Sequence, residues 1–133
     1  MLLTGKNIAP TKSTPEVILD PDGGIIIRGR SMVANVIEFS KQIEDWIDKY
    51  ICNPADITCV DFHLEYLPTF TTRFYISLLS KIASVKLKNK KVIVNWYYDE
   101  GDEDILEKGE YISSVLSIPF NLIKISDQNI LSC

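Results

Sequence analysis

Histidine occurs once in this chain, at His63, and cysteine three times, at Cys52, Cys59 and Cys133. That scarcity narrows the chemistry. A single histidine leaves no spare base for a Ser-His-Asp triad and no partner for a His-rich metal site. The cysteines are odd in number, and no pair has the two-residue spacing of zinc or redox motifs, so three reduced, structural thiols are expected. No apolar run reaches the ~18 residues that suggest a membrane span. The opening Met1 to Pro10 carries one lysine and no long apolar stretch, unlike a secretory leader. A cytoplasmic protein without membrane contact is expected. Basic charge is also short: the net charge is −4 and the pI about 4.9. The one basic cluster is Lys86, Lys88, Lys90 and Lys91, which leads from a helical pattern into a strand, where lysines ordinarily solvate a connection. Nucleic acid is therefore not an expected partner. No phosphate-binding glycine loop, dinucleotide fingerprint or nucleophile elbow is present, and no cofactor is expected.

What is there is a core. Of the 133 residues 46% are hydrophobic, enough for one domain of ordinary size. Residues 1–13 read as a flexible N-terminal arm and 14–133 as a single domain. Glu16 to Asp20 reads as a strand, Pro21-Asp22-Gly23-Gly24 as a hairpin turn, and Ile25 to Arg28 as the returning strand. Ser31 is placed to cap a helix from about Val33 to Ile51, which Asn53-Pro54 stops. A strand follows over 57–66, a helix over about 72–87, a strand over 91–98, a helix over about 102–117 and a last strand over 121–126.

The order β-β-α-β-α-β-α-β implies parallel pairing through right-handed crossovers. A sheet covered on both faces has continuously apolar strands. Here Val60, Phe62 and Leu64 alternate with Asp61, His63 and Glu65, and Val94 and Trp96 with Asn95 and Tyr97. The expectation is an α/β domain with a four- to five-stranded mixed sheet and helices mainly on one face. That is a STAS-like layout, as in anti-sigma-factor antagonists.

Two places could carry chemistry. Asp99-Glu100-Gly101-Asp102-Glu103-Asp104 packs five carboxylates into six residues. Hard cations take clustered oxygens, but the spacing misses the calcium-loop pattern, and acids in a helix's first turn also complement its dipole. A metal-dependent enzyme using residues 99–104 is thus an alternative reading, and a protein-docking surface another. The second place is Pro68-Thr69-Phe70-Thr71-Thr72-Arg73, which joins a strand's carboxyl end to a helix start. Free backbone N–H groups there favour an anion, and a phosphate would bring charge and acceptor oxygens beside Arg73. The threonines could instead only cap the helix.

From Ser13 to Phe120 the chain resembles the SiaC family of bacterial regulatory phosphoproteins. The resemblance begins with Thr14-Pro15-Glu16-Val17, then Gly24 and Gly29-Arg30-Ser31. It continues with Asn35, Trp46 and Tyr50, and with Glu65-Tyr66-Leu67-Pro68-Thr69. Its most distinctive stretch is Trp96-Tyr97-Tyr98-Asp99-Glu100-Gly101-Asp102-Glu103-Asp104, followed by Gly109-Glu110. Around Thr69 the chain departs from the family's Asn-Thr-Ser-Ser: Pro68 replaces Asn, Phe70 and Thr71 replace the Ser pair, and Arg73 replaces Lys. The resemblance implies a non-enzymatic protein in a partner-switching pathway of cyclic-di-GMP signalling and biofilm formation. Thr69 would be phosphorylated by a dedicated kinase and dephosphorylated by a PP2C-type phosphatase. The unphosphorylated form would bind and activate an effector, a diguanylate cyclase. Expected partner-binding residues are Arg30, Ser31, Pro68, Phe70, Thr71, Arg73, Asp99, Asp102 and Asp104. An anti-sigma-factor antagonist on the same fold is the alternative within binding proteins.

Overall fold

The computed structural model describes residues 2–31 and 37–126. Within them lie six strands and three α-helices. They are β1 (Lys6–Ile8), β2 (Glu16–Leu19), β3 (Gly24–Arg30), α1 (Ile37–Tyr50), β4 (Ile57–Tyr66), α2 (Thr69–Ala83), β5 (Lys91–Asp99), α3 (Glu103–Leu116) and β6 (Phe120–Ile125). The expected helix start, including Val33, Asn35 and Val36, lies outside the described residues.

The strands form one sheet in the order β1-β2-β3-β4-β5-β6. β1, β2 and β3 pair antiparallel; β3, β4, β5 and β6 pair parallel. Spatial order follows chain order, and right-handed crossovers between successive neighbours lay every helix on the same face. This is the physical reason for the one-sided arrangement that the alternation implied. The strand count is six where four or five were expected. The extra strand is β1, inside the segment read as a loose arm. Its three residues bear no apolar alternation, yet they pair with β2, and Trp46 Nε1 donates to the carbonyl of Thr4 at 2.9 Å.

The hairpin turns where Pro21-Asp22-Gly23-Gly24 predicted. Asp20 Oδ1 accepts from Asp22 N at 2.8 Å, and Gly23 adopts a φ of 110°. A Cβ there would stand 2.2 Å from the carbonyl oxygen of Ile57, so no side chain fits.

The core fills the space between the sheet and the helices. Phe62 lies edge-on to Tyr75 at 5.5 Å and tilted against Trp96 at 5.1 Å, all three fully buried. Such pairs add about 0.5–1.5 kcal/mol each beyond area burial. Tyr50 stacks on Trp46, and its hydroxyl bonds the buried Thr58 at 2.8 Å. α2 runs into a 3-10 turn at Ser84–Lys88 that a left-handed Asn89 ends. The thiols are not all alike. Cys52 is free and exposed, but Cys59 is disulfide-bonded, which corrects the expectation of three reduced cysteines.

Candidate functional site

Parallel β3, β4 and β5 all point their carboxyl ends to one edge of the sheet, and the junctions they feed stand side by side there. Arg30 and Ser31 close β3, residues 66–69 join β4 to α2, and residues 99–103 join β5 to α3.

The β4–α2 junction is tied to β3 from below. Arg30 pairs with Tyr66 in register, and Ser31 N donates to the Tyr66 carbonyl at 2.9 Å. The Ser31 hydroxyl is fully buried and bonds the Tyr75 hydroxyl at 2.8 Å, fastening the strand end to α2. Burial pushes the Tyr75 phenol far above its ordinary range, with the Ser31 hydrogen bond only partly offsetting this, so Tyr75 stays protonated. Tyr75 acts here as a structural anchor. A tyrosine on an apolar helix face needs a partner for its hydroxyl, and that need is the only sequence signal of this contact.

The helix begins at Thr69, three residues earlier than expected. Pro68 occupies the N-cap with φ −63° and ψ 149°, and no side chain caps α2. Proline fits a helix entrance because its missing N–H would have no intrahelical partner there. Starting the helix at Thr69 sorts the three hydroxyls by helical geometry. Thr69 is exposed, whereas Thr71 and Thr72 are 6% and 4% exposed. Thr72 Oγ1 donates to the Thr69 carbonyl at 2.6 Å, and Thr71 Oγ1 is buried without a hydrogen-bond partner among the described residues. The capping role weighed for these threonines is therefore absent at the N-cap itself. Phe70 is 63% exposed and Tyr66 45%, with the Arg30 guanidinium 6.0 Å from the Tyr66 ring centroid. Arg73, one turn beyond Thr69, is exposed, and so is Ile37 at the described start of α1, at 77%. Tyr66 extends this surface beyond the residues expected from sequence.

The β5–α3 junction is built differently. Asp102 is the N-cap of α3, and its Oδ1 accepts from Ile105 N at 3.2 Å. Asp104 pairs with Lys108 one turn on at 2.9 Å, and Asp99 Oδ1 accepts from His63 Nε2 at 3.0 Å. Each of the three aspartates thus has its own partner, and they do not converge on a common point. Among the described residues no group of three or more His, Cys, Asp or Glu is arranged to hold a metal ion. Below the junction, Trp96 Nε1 donates to the Ile105 carbonyl at 2.8 Å, and Gly109 lies against the indole.

The exposed Thr69 thus stands at a helix start without a side-chain cap, with Tyr66, Phe70 and Arg73 exposed near it in the chain. Comparisons with known proteins give the family. The model of the SiaC family regulatory phosphoprotein matches residues 8–125. The chain belongs to the SiaC family, which is bacterial and regulatory. It is 26% identical over 115 residues to an uncharacterized protein of Pseudomonas aeruginosa, covering 86% of this chain and 91% of that one. Among solved structures it resembles a chain in the crystal structure of the diguanylate cyclase SiaD in complex with its activator SiaC from Pseudomonas aeruginosa. The TM-score is 0.81 at 25% identity, covering 90% of this chain and 99% of the other. Apo-SiaC from the same organism superposes with a TM-score of 0.79 at 24% identity, over 90% and 98% of the two chains, which shows the shared fold. No helix among the described residues is long and apolar enough to cross a membrane.

Proposed function

We propose that this chain is a non-enzymatic cytoplasmic regulator, residues 14–133 acting as one unit, switched by reversible phosphorylation of Thr69. Unphosphorylated, it binds and activates an effector, a diguanylate cyclase; a dedicated kinase and a PP2C-type phosphatase set its state. The observation that carries this reading is the sorting of hydroxyls at the start of α2: Thr69 is exposed, and Thr71 and Thr72 are buried. A kinase must take the acceptor hydroxyl into its own active site, so only Thr69 qualifies without unwinding the helix. The likeness to a chain crystallised with a cyclase supports the choice of effector.

A phosphate on Thr69 adds a charge of roughly −1.5 to −2. It would sit at the positive end of the α2 dipole, near Arg73, where the uncapped amides favour an anion. On a surface that otherwise offers Tyr66 and Phe70 for burial, that charge opposes docking by desolvation and repulsion. The one-sided layering of helices on the sheet also suits an anti-sigma-factor antagonist. Pull-down with unphosphorylated protein separates the two, recovering a cyclase in one case and an anti-sigma factor in the other.

The direct test is co-expression with the cognate kinase followed by intact-mass measurement. Thr69→Ala should take up no phosphate, while Thr71→Ala and Thr72→Ala remain substrates. Full phosphorylation of Thr69→Ala would end the assignment. Thr69→Ala should keep effector binding permanently on. Thr69→Glu should weaken it incompletely, because one carboxylate has less charge and fewer acceptors than a phosphate.

A further inference from the structure

The helix-free face of the sheet holds a groove of about 450 Å3, bordered by Ile26, Arg28, Cys59, Asp61, His63 and Tyr97. That size lies within the range of small-molecule sites. Its floor is polar because parallel register stacks like side chains across neighbouring strands. Asp61 on β4 pairs with Asn95 on β5, which pairs with Asn121 on β6. Asn121 Nδ2 donates to Asn95 Oδ1 at 2.9 Å, and Asn95 Nδ2 donates to Asp61 Oδ1 at 2.9 Å. The ladder ends on Asp61, which is 8% exposed.

Asp61 has no cationic partner among the described residues. Its Oδ1 takes the Asn95 amide at 2.9 Å and lies 3.7 Å from the Cys59 sulfur, and no hydrogen bond among the described residues reaches Oδ2. The two basic side chains of the groove are engaged elsewhere, Arg28 with Glu16 and His63 with Asp99. A partly buried carboxylate without a countercharge gains from a cation that reaches its open oxygen. Burial pushes the Asp61 carboxyl above its ordinary range, and the Asn95 hydrogen bond offsets only part of that. Nearby, burial and then the Asp61 charge push the Tyr97 phenol upward, so its ring stays neutral and offers an aromatic wall to a cation.

We propose that this groove is a binding site for a small organic cation, a primary amine whose ammonium pairs with Asp61 while its hydrocarbon lies along Ile26 and the Tyr97 ring. An ammonium supplies the missing charge and three donors, one for Asp61 Oδ2. The site lies on a different surface from the Thr69 edge, so it does not depend on the phosphorylation reading.

The test is titration of the full-length protein with n-butylamine hydrochloride, followed by backbone amide NMR shifts. n-Butanol, of the same length and uncharged, is the control. The expected result is saturable shifts centred on Ile26, Asp61 and Tyr97 for the amine, and none for the alcohol at equal concentration. Asp61→Asn, which keeps an acceptor for Asn95, should weaken amine binding about tenfold or more while the rest of the spectrum is unchanged. Equal response to amine and alcohol in the wild-type protein would overturn the proposal, and needs no variant. So would amine shifts that are absent, non-saturable or located elsewhere, or amine binding unchanged in a folded Asp61→Asn protein.

Discussion

Two strand-to-helix junctions stand next to each other on one edge of this sheet, and they solve the same problem in opposite ways. The start of α3 satisfies itself: Asp102 caps it, Lys108 neutralises Asp104, and His63 holds Asp99. The start of α2 has no side-chain cap and exposes Thr69, Phe70 and Arg73. A helix entrance whose orphan amides are satisfied internally has little left to offer a ligand. One left open keeps that capacity for a partner or a covalent anion. The richest cluster of charge in the sequence is thus the closed junction, and the modest Pro-Thr-Phe-Thr-Thr-Arg stretch is the open one.

The contrast can be broken at its foundations first. Gly109 holds α3 against Trp96, and a Cβ there would stand 2.5 Å from the indole. Gly109→Ala should therefore cost about 2–3 kcal/mol by chemical denaturation. A cost near zero would mean that the closed junction does not rest on this contact. At the open junction the matching fastening is the Ser31–Tyr75 hydroxyl pair. Tyr75→Phe leaves the fully buried Ser31 hydroxyl without that partner and should cost about 2 kcal/mol in the same assay.

Smaller changes sharpen the comparison. Asp102→Ala removes the cap of α3 and should cost about 1 kcal/mol, whereas Asp102→Asn, which still offers a side-chain acceptor, should recover most of it. Equal losses in the two variants would point to charge, not capping, as what closes this junction. At the open junction the sign reverses. Thr71→Val replaces a buried hydroxyl that has no partner among the described residues and should raise stability by about 1 kcal/mol or less, read as an increase in the denaturation midpoint. It should leave phosphorylation at Thr69 intact.

These residues also mark what could be read from sequence. The element order and the one-sided helices followed from apolar residues alternating with Asp61, His63 and Asn95, because a sheet covered on both faces would not tolerate that pattern. β1 could not be read, since three residues at an edge bury too little to impose a period. Thr69, Thr71 and Thr72 could not be ranked without the helix start, as a shift of a few residues rotates each to another face. That start depends on Pro68 and Leu67 being seated by β4, a tertiary matter. The Asp61–Asn95–Asn121 ladder was visible only as isolated polar residues in strands; pairing them requires the register.

The chain-order sheet also bears on how the protein is made. Each strand from β2 to β6 docks on the strand that precedes it in sequence, so no pairing waits for a segment synthesised much later. Loop closure between neighbours spans one crossover at most, which keeps the contacts local for a mostly parallel sheet. A ribosome-bound nascent chain can extend the sheet strand by strand, with β6 added last at the edge.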